Sequence, residues 1–254
     1  MKHIDKIAVV TGGNRGIGKN IALQLAEKGI DVILTYHTHQ IEALDVVELI
    51  REKGRKAAAL QLNSAAIASF DEFFKTLSGT LTENFGTSNF DYLINNAGIG
   101  LNEPFESTSE AQFDQLVNVL FKGVYFFTQK ALGYLNDNGA IINMSSRLAQ
   151  SSVSGYSAYA SIKGAVETLT RYQAKELSAR GIRVNAIAPG PVATDFGGGI
   201  VRDNPQYNAF VKANTALGRV GEPEDIGGIV CFLCTQEAGW ITAQRIEVSG
   251  GMNL

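Results

Sequence analysis

The chain has 254 residues, 45% of them hydrophobic and 19% charged, with a formal net charge of -3. That balance supplies enough apolar material for one large core and excludes a disordered or fibrous chain. With no broad positive charge and no Lys/Arg cluster, a nucleic acid or an anionic membrane is excluded as partner, and a small molecule is expected.

In chain order, Met1 to Lys6 runs straight into a short apolar segment, without the longer apolar stretch and cleavage pattern of a secretory leader. No later run approaches the roughly 18 apolar residues of a membrane span, so a cytoplasmic protein is expected. Short β-branched runs then alternate with helical patterns, the mark of a parallel α/β sheet. Strands are predicted at Ile7–Thr11, Val32–Tyr36, Ala57–Leu62, Tyr92–Asn95, Ala140–Met144, Arg183–Ala188 and Arg245–Val248. Each is nearly all apolar, as strands covered on both faces must be. Helical patterns at Ile17–Lys28 and Ile41–Lys53 stop at Gly29 and Gly54, where glycine can turn left-handed. Right-handed crossovers give one Rossmann-type doubly wound α/β domain over residues 1–254, with a mostly parallel seven-stranded sheet in the order 3-2-1-4-5-6-7 and helices on both faces.

The first strand leads into Thr11-Gly12-Gly13-Asn14-Arg15-Gly16-Ile17-Gly18 and then a helix. Glycines there let the backbone turn sharply and approach a pyrophosphate, which the helix N-terminus would hold. At the end of the second strand, where an acid commonly holds the ribose of NAD, stands Tyr36, followed by His37 and Thr38. No carboxylate repels a 2'-phosphate at that position, and Arg15 offers a charged donor fork, so NADP(H) is expected in preference to NAD(H). The third strand ends in Asn63-Ser64, where the Asn63 carbonyl could accept from adenine; the fourth ends in Asn95-Asn96-Ala97-Gly98. The following helix carries Asn118, and the fifth strand is followed by Ser145 and Ser146. Tyr156, Tyr159 and Lys163 open the next helix, with Tyr159 and Lys163 four apart on one face. Pro189-Gly190-Pro191-Val192-Ala193-Thr194 follows the sixth strand. Residues 195–216, with Gly197-Gly198-Gly199, break the pattern and read as a lid or as a plain surface excursion. Cys231 and Cys234 form a CxxC inside a helical apolar pattern without a second ligand pair, so buried structural thiols are expected and no metal site.

Over essentially its whole length the chain resembles the short-chain dehydrogenases/reductases, ketoreductase type, similar to 3-oxoacyl-carrier reductases. Gly12-x-x-x-Gly16-x-Gly18 is similar to that family's TGxxxGxG turn, Asn95 to Gly98 to its NNAG, Tyr159 to Lys163 to its YxxxK, and Pro189 to Thr194 to its PGxVxT. The resemblance implies hydride transfer between NADP(H) and a carbonyl or secondary alcohol. Tyr159 would be the general acid and base, Lys163 would stabilise its anion and bind ribose, and Ser146 would donate to the carbonyl oxygen. Asn118 would hold a water relaying protons to Lys163, unless it is a helix polar residue bonded to its own backbone. Asn14, Ile17, Asn96, Ala97, Pro189 and Gly190 would line the dinucleotide, with Val192 and Thr194 at the nicotinamide carboxamide. The helices bearing Asn118 and Tyr159, through Phe121 to Phe127 and Ala165 to Leu169, imply a homotetramer. Ala243 and Ser249 depart from the family where Gly and Asp are commoner.

Other readings stay open. Tyr156 stands seven residues before Lys163, the spacing of the related enoyl reductases, and a non-catalytic NADP(H) sensor would use the cofactor end alone. Arg147, Leu148, Val153, Tyr156 and Phe196 are the substrate-pocket candidates. Asn136-Asp137-Asn138, just before the fifth strand, replaces the basic residues expected beside the entrance for an acidic carrier protein, and argues against a carrier-bound substrate.

Overall fold

Central strands carry apolar side chains on both faces, and each face is closed by its own layer of helices. The computed structural model describes residues 6–254; the leader reading of Met1 to Asp5 lies outside the described residues. Strands β1 (Ile7–Val10), β2 (Asp31–Tyr36), β3 (Ala57–Gln61), β4 (Phe90–Asn95), β5 (Leu135–Met144), β6 (Arg183–Pro189) and β7 (Arg245–Val248) form a single parallel sheet, ordered β3-β2-β1-β4-β5-β6-β7. The helices are α1 (Gly16–Glu27), α2 (Gln40–Glu52), α3 (Phe70–Thr80), α4 (Glu110–Val117), α5 (Gly123–Ala131), α6 (Ser157–Glu176), α7 (Ile200–Asp203), α8 (Pro205–Ala213) and α9 (Pro223–Leu233). Alternate strand residues sort into two cores. Ala8, Val10, Leu34 and Ile94 pack with α1, α2 and α9 on one side. Val9, Ile33, Leu93 and Ile141 pack with the Phe70, Phe74 and Phe127 rings of α3 and α5 on the other.

The expected strands are present, with informative differences at their ends. β1 stops at Val10 because Thr11 leaves the ladder while its N–H still bonds the Ile94 carbonyl at 3.0 Å. β5 starts early: Leu135 pairs with Phe90, the register shifts, and Asn138 takes a left-handed φ of 61° before Ala140 joins Tyr92. Asn136-Asp137-Asn138 therefore lies at the end of β5 remote from Ser146, where Asp137 accepts from Arg180 Nε at 2.7 Å. Its lack of basic residues says nothing about what enters the site of the same chain, which corrects the argument drawn from it. Full coverage also fails for the outer strands, since β3 and β7 are only partly buried.

Gly29 and Gly54 do end α1 and α2 with φ of 81° and 76°. The long helix after β4 is two helices joined by a π-turn over Asn118–Lys122. Residues 195–216 are not an irregular loop but a 3-10 turn followed by α7 and α8. Cys231 and Cys234 are buried, and burial pushes the Cys231 thiol up to about 12, as expected for unreactive core thiols. Among the described residues, no helix is long and apolar enough to cross a membrane.

α1 packs against the turn that feeds it with no room to spare. A Cβ on Gly18 would stand 2.1 Å from the Gly12 carbonyl oxygen and 2.4 Å from the Asn96 amide nitrogen. Gly18→Ala must displace that turn and should lower the unfolding free energy of the cofactor-free protein by about 1–3 kcal/mol. Urea denaturation checks it; an unchanged midpoint would show that the turn yields freely.

Candidate active site

The C-terminal ends of β1 and β4 meet where the strand order reverses, and side-chain hydrogen bonds tie them together. Asn96 donates its amide to the carbonyls of Thr11 at 2.9 Å and Gly12 at 3.0 Å. Thr11 Oγ1 accepts the backbone N–H groups of Asn96 at 2.9 Å and Ala97 at 3.0 Å. Gly98 packs against Leu120. Asn96 is thus a brace of the glycine turn, and Thr11, absent from the sequence candidates, is its counterpart. Gly12 and Gly16 hold φ of 64° and 54°, which glycine adopts without strain. No side chain caps α1 and no acid stands in its first turn, so the N–H groups of Gly16, Ile17 and Gly18 keep the positive end of the dipole free. Thr194 faces Gly16 across this cleft, within 3.5 Å of where a Cβ would be. A pyrophosphate fits these donors.

At the adenosine end, Tyr36 is buried while His37, Thr38 and Arg15 are exposed. An acid does stand nearby, supplied by α2 rather than β2. Glu42 accepts from Asn14 Nδ2 at 3.1 Å and lies 3.2 Å from His39 Nδ1. No spacing rule marks Glu42 in the sequence, because helix α2 folds it back over the turn. Arg15 sits 4.0 Å from Asp195. Asn63 Oδ1 accepts the Ala65 N–H at 3.0 Å, so the carbonyl read as an adenine acceptor is already shared with its own backbone. The Ser64 carbonyl oxygen would lie 2.4 Å from a Cβ on Gly123, which holds the third-strand loop against α5.

The catalytic candidates converge at the ends of β5 and the start of α6. Ser146, Tyr159 and Lys163 are all buried, and Lys163 Nζ donates to the Met144 carbonyl at 2.7 Å, 5.7 Å from the centre of the Tyr159 ring. Burial pushes the Tyr159 phenol up to about 12, with the nearby Ser146 hydroxyl pulling the other way. Burial alone brings Lys163 down to about 8. Both shifts have burial as their first cause, and each disfavours the charged form. Asn118 opens the π-turn, and its carbonyl accepts the Gly123 N–H across the widened helix. π-Turns interrupt helices most often at functional sites.

A charged network supports this corner. Ser145 Oγ donates to Glu167 Oε1 at 2.7 Å, which also accepts from Arg245 Nε at 2.8 Å. Glu167 lies one turn beyond Lys163 on the buried side of α6, a signal visible in the sequence but unused. Arg147 corrects the pocket reading. Its guanidinium donates to the Met252 carbonyl at 3.1 Å and Ser151 at 2.8 Å, and lies 3.4 Å from Glu247, so it braces the C-terminal tail rather than meeting a substrate.

Tyr156 and Phe196 remain beside Tyr159, with ring centres at 6.4 Å and 6.2 Å. Leu148 packs in the same cluster, while Val153 is exposed near the rim. Phe196 donates its N–H to Thr194 Oγ1 at 3.2 Å. Val192 and Thr194 are buried, and Gly190 donates its N–H to Val248 at 2.9 Å, which ties the Pro189-Gly190 turn to β7.

A family model described as enoyl-(acyl carrier protein) reductase matches residues 12–253. The 3-oxoacyl-(acyl-carrier-protein) reductase FabG of Staphylococcus aureus strain Mu50 is 37% identical over 249 residues, covering 97% of this chain and 98% of that protein. Among solved structures, the promiscuous reductase LugOII, which catalyses keto-reduction in lugdunomycin biosynthesis, is 34% identical, with TM-score 0.93 and full coverage of both chains. The angucycline ketoreductase LanV with bound NADP is 32% identical, with TM-score 0.93 over 98% of this chain and 96% of that one. A family model over residues 12–253 and a relative 37% identical over 97% of the chain, on a sheet with a buried Ser-Tyr-Lys group beside its switch-point cleft, make the chain an oxidoreductase of the short-chain dehydrogenase/reductase family.

Proposed function

We propose that the protein is an NADPH-dependent ketoreductase in which Tyr159 protonates the substrate oxygen. The observation that carries the reading is the burial of Ser146, Tyr159 and Lys163 in one corner beside the cleft that fits a pyrophosphate. Bound nicotinamide supplies or accepts the hydride. A phenol pushed up to about 12 keeps its proton throughout the neutral range, which suits a general acid in the reductive direction. Ser146 donates to the carbonyl oxygen as negative charge develops, and charged Lys163 supports the phenolate left behind. Asn118 holds a water between Lys163 and solvent.

NADP(H) is preferred over NAD(H) because Arg15, His37 and Thr38 stand exposed where the 2'-phosphate would lie. Glu42 opposes this, but Asn14 and His39 both face its carboxylate. FabG, LugOII and LanV are all named as reductases of keto groups, and LanV holds NADP, which supports both halves of the reading. The enoyl reductase reading has one observation in its favour, the name of the family model, with Tyr156 as its acid. Tyr159 is the more deeply buried of the two tyrosines and the one beside Ser146, which favours the ketone. Residues 195–216 act as a cover over the substrate, and Asp195 at its start accepts from Arg202 at 2.7 Å while lying 4.0 Å from Arg15.

One apolar groove supports association into a homotetramer. The groove between α5 and α6, of about 580 Å³, is lined by Phe121, Tyr125, Leu132, Leu169 and Tyr172, with Tyr125 and Tyr172 exposed. Phe127 does not belong to this surface, because it is buried in the aromatic cluster with Phe70 and Phe74. Light scattering at micromolar concentration should give four times the chain mass of 27.2 kDa, and a monomer would remove this element.

NADPH should support turnover at lower concentration than NADH, and Arg15→Ala should erode that preference by roughly 1.5–3 kcal/mol, the worth of a charge-assisted hydrogen bond. Steady-state kinetics with both cofactors decides it, equal efficiency in the wild type being the adverse result. Tyr159→Phe should lower ketone reduction by at least about a hundredfold, whereas Tyr156→Phe should act mainly on KM. If instead Tyr156→Phe abolishes enoyl-thioester reduction and Tyr159→Phe is silent on ketones, the enoyl reading replaces this one. The pH dependence follows from Lys163. Its pKa is down at about 8, so it is charged below that value and neutral above, and kcat/KM for reduction should be level up to about 8 and then fall. Stability moves oppositely: from about 8 to 10.5 the unfolded chain binds the proton that the folded chain refuses, so folding strengthens as pH rises through that window. Lys163→Met should lose this rise in pH-dependent thermal melts.

A further inference from the structure

The side chains that flank Tyr159 are apolar and, at the mouth, aromatic. Ile99, Leu101, Leu148 and Tyr156, from the loops after β4 and β5, pack against the apolar cluster that Tyr159 forms with Leu116, Leu120 and Ile162. Tyr156 meets the Tyr159 ring edge-on at 71°, and Phe196 meets it tilted at 57° from the start of the cover. The charges closest in sequence are committed elsewhere, Arg147 to Met252 and Ser151, and Asp195 to Arg202. Lys163 is committed to the Met144 carbonyl, and the other side chains named here offer no cation to a phosphate or carboxylate on the substrate.

Phe196 is 47% exposed although it touches a fully sheltered tyrosine, so one side of its ring is uncovered at the site. Its seat depends on Gly100, where a Cβ would stand 2.8 Å and 2.9 Å from the ring carbons. The residues behind it, Gly197, Gly198 and Gly199, all take positive φ, which glycine adopts without strain. Burial raises the Tyr207 phenol on α8 and the nearby Tyr156 hydroxyl adds to the effect, so the aromatic surface extends onto the cover.

We infer that the substrate is an uncharged ketone that carries an aromatic ring, the ring held between Tyr156 and Phe196 while the carbonyl reaches Tyr159 and Ser146. The inference rests on the ketoreductase reading and names the substrate class of that site. A planar ring offers its face and edge to these side chains in the offset and edge-on arrangements that aromatic pairs favour, whereas a saturated ring or an acyl chain of equal size offers only area. Reduction is the balanced transfer already described, hydride to the carbonyl carbon from NADPH and proton to its oxygen from Tyr159.

Phenylacetone and cyclohexylacetone test it, because they share a carbonyl of similar reactivity and differ only in saturation of the ring. The wild type should favour phenylacetone in kcat/KM by about tenfold, the scale of two aromatic contacts. Phe196→Leu and Gly100→Ala, which remove or displace the ring, should each bring that ratio towards one. Being a ratio, it is independent of how much of a variant folds. A wild-type ratio near one, a ratio that survives Phe196→Leu, or a preference for acetoacetyl-coenzyme A over phenylacetone would overturn the aromatic-ring assignment while leaving the ketoreductase standing. Failure to reduce any of the three would overturn both.

Discussion

The Asn96 amide carries more of this structure than its size suggests. By bridging the Thr11 and Gly12 carbonyls while Thr11 returns a hydroxyl to the Asn96 and Ala97 N–H groups, it locks the ends of β1 and β4 together at the point where the sheet reverses. The lock sets the path of the glycine turn, the turn aims α1, and the direction of α1 decides where unsatisfied N–H groups meet a pyrophosphate. Gly18 completes the constraint, because the helix can come this close only without a side chain. Cofactor cleft and fold are therefore one object, and weakening the brace would loosen both.

Much of the fold was legible because its signals are local. The apolar runs from Ile7 to Val248 mark all seven strands, and Gly29 and Gly54 mark helix ends through a backbone conformation that glycine favours. The glycine turn and the Tyr159 to Lys163 spacing were legible for the same reason. What escaped depends on chain segments distant in sequence. Glu42 approaches Asn14 only because α2 folds back, and Arg147 turns to a carbonyl 105 residues away. The start of β5 was hidden by Asn136-Asp137-Asn138, polar residues that lie in the register shift between the Leu135–Phe90 and Ala140–Tyr92 pairs.

Burial governs the chemistry of the catalytic corner more than charge does. Tyr159 moves up and Lys163 moves down for the same reason, and each shift disfavours an ion. Against that tendency the chain buries Glu167 within hydrogen-bond distance of Ser145 and Arg245, where the partners compensate for lost water. Through Arg245, Glu247 and Arg147 the charges alternate from α6 to the tail, whose Gly250 and Gly251 carbonyls accept from Leu217 and Ala216. The loop carrying Ser146 is thereby joined to the end of the segment spanning residues 195–216.

Gly197, Gly198 and Gly199 give that segment an unusual relation to handedness. At Gly197 and Gly198 nothing lies within 4 Å of where a Cβ would be, so space does not require glycine there. The positive φ does, since an L residue in this region costs roughly 1–2 kcal/mol at each position. Three such dihedrals in a row make this turn a short stretch of chain written without chirality. Enlarging its residues one at a time would strain it at every step, whereas mirror-image amino acids introduced by chemical synthesis match the sign of its dihedrals and would keep its shape.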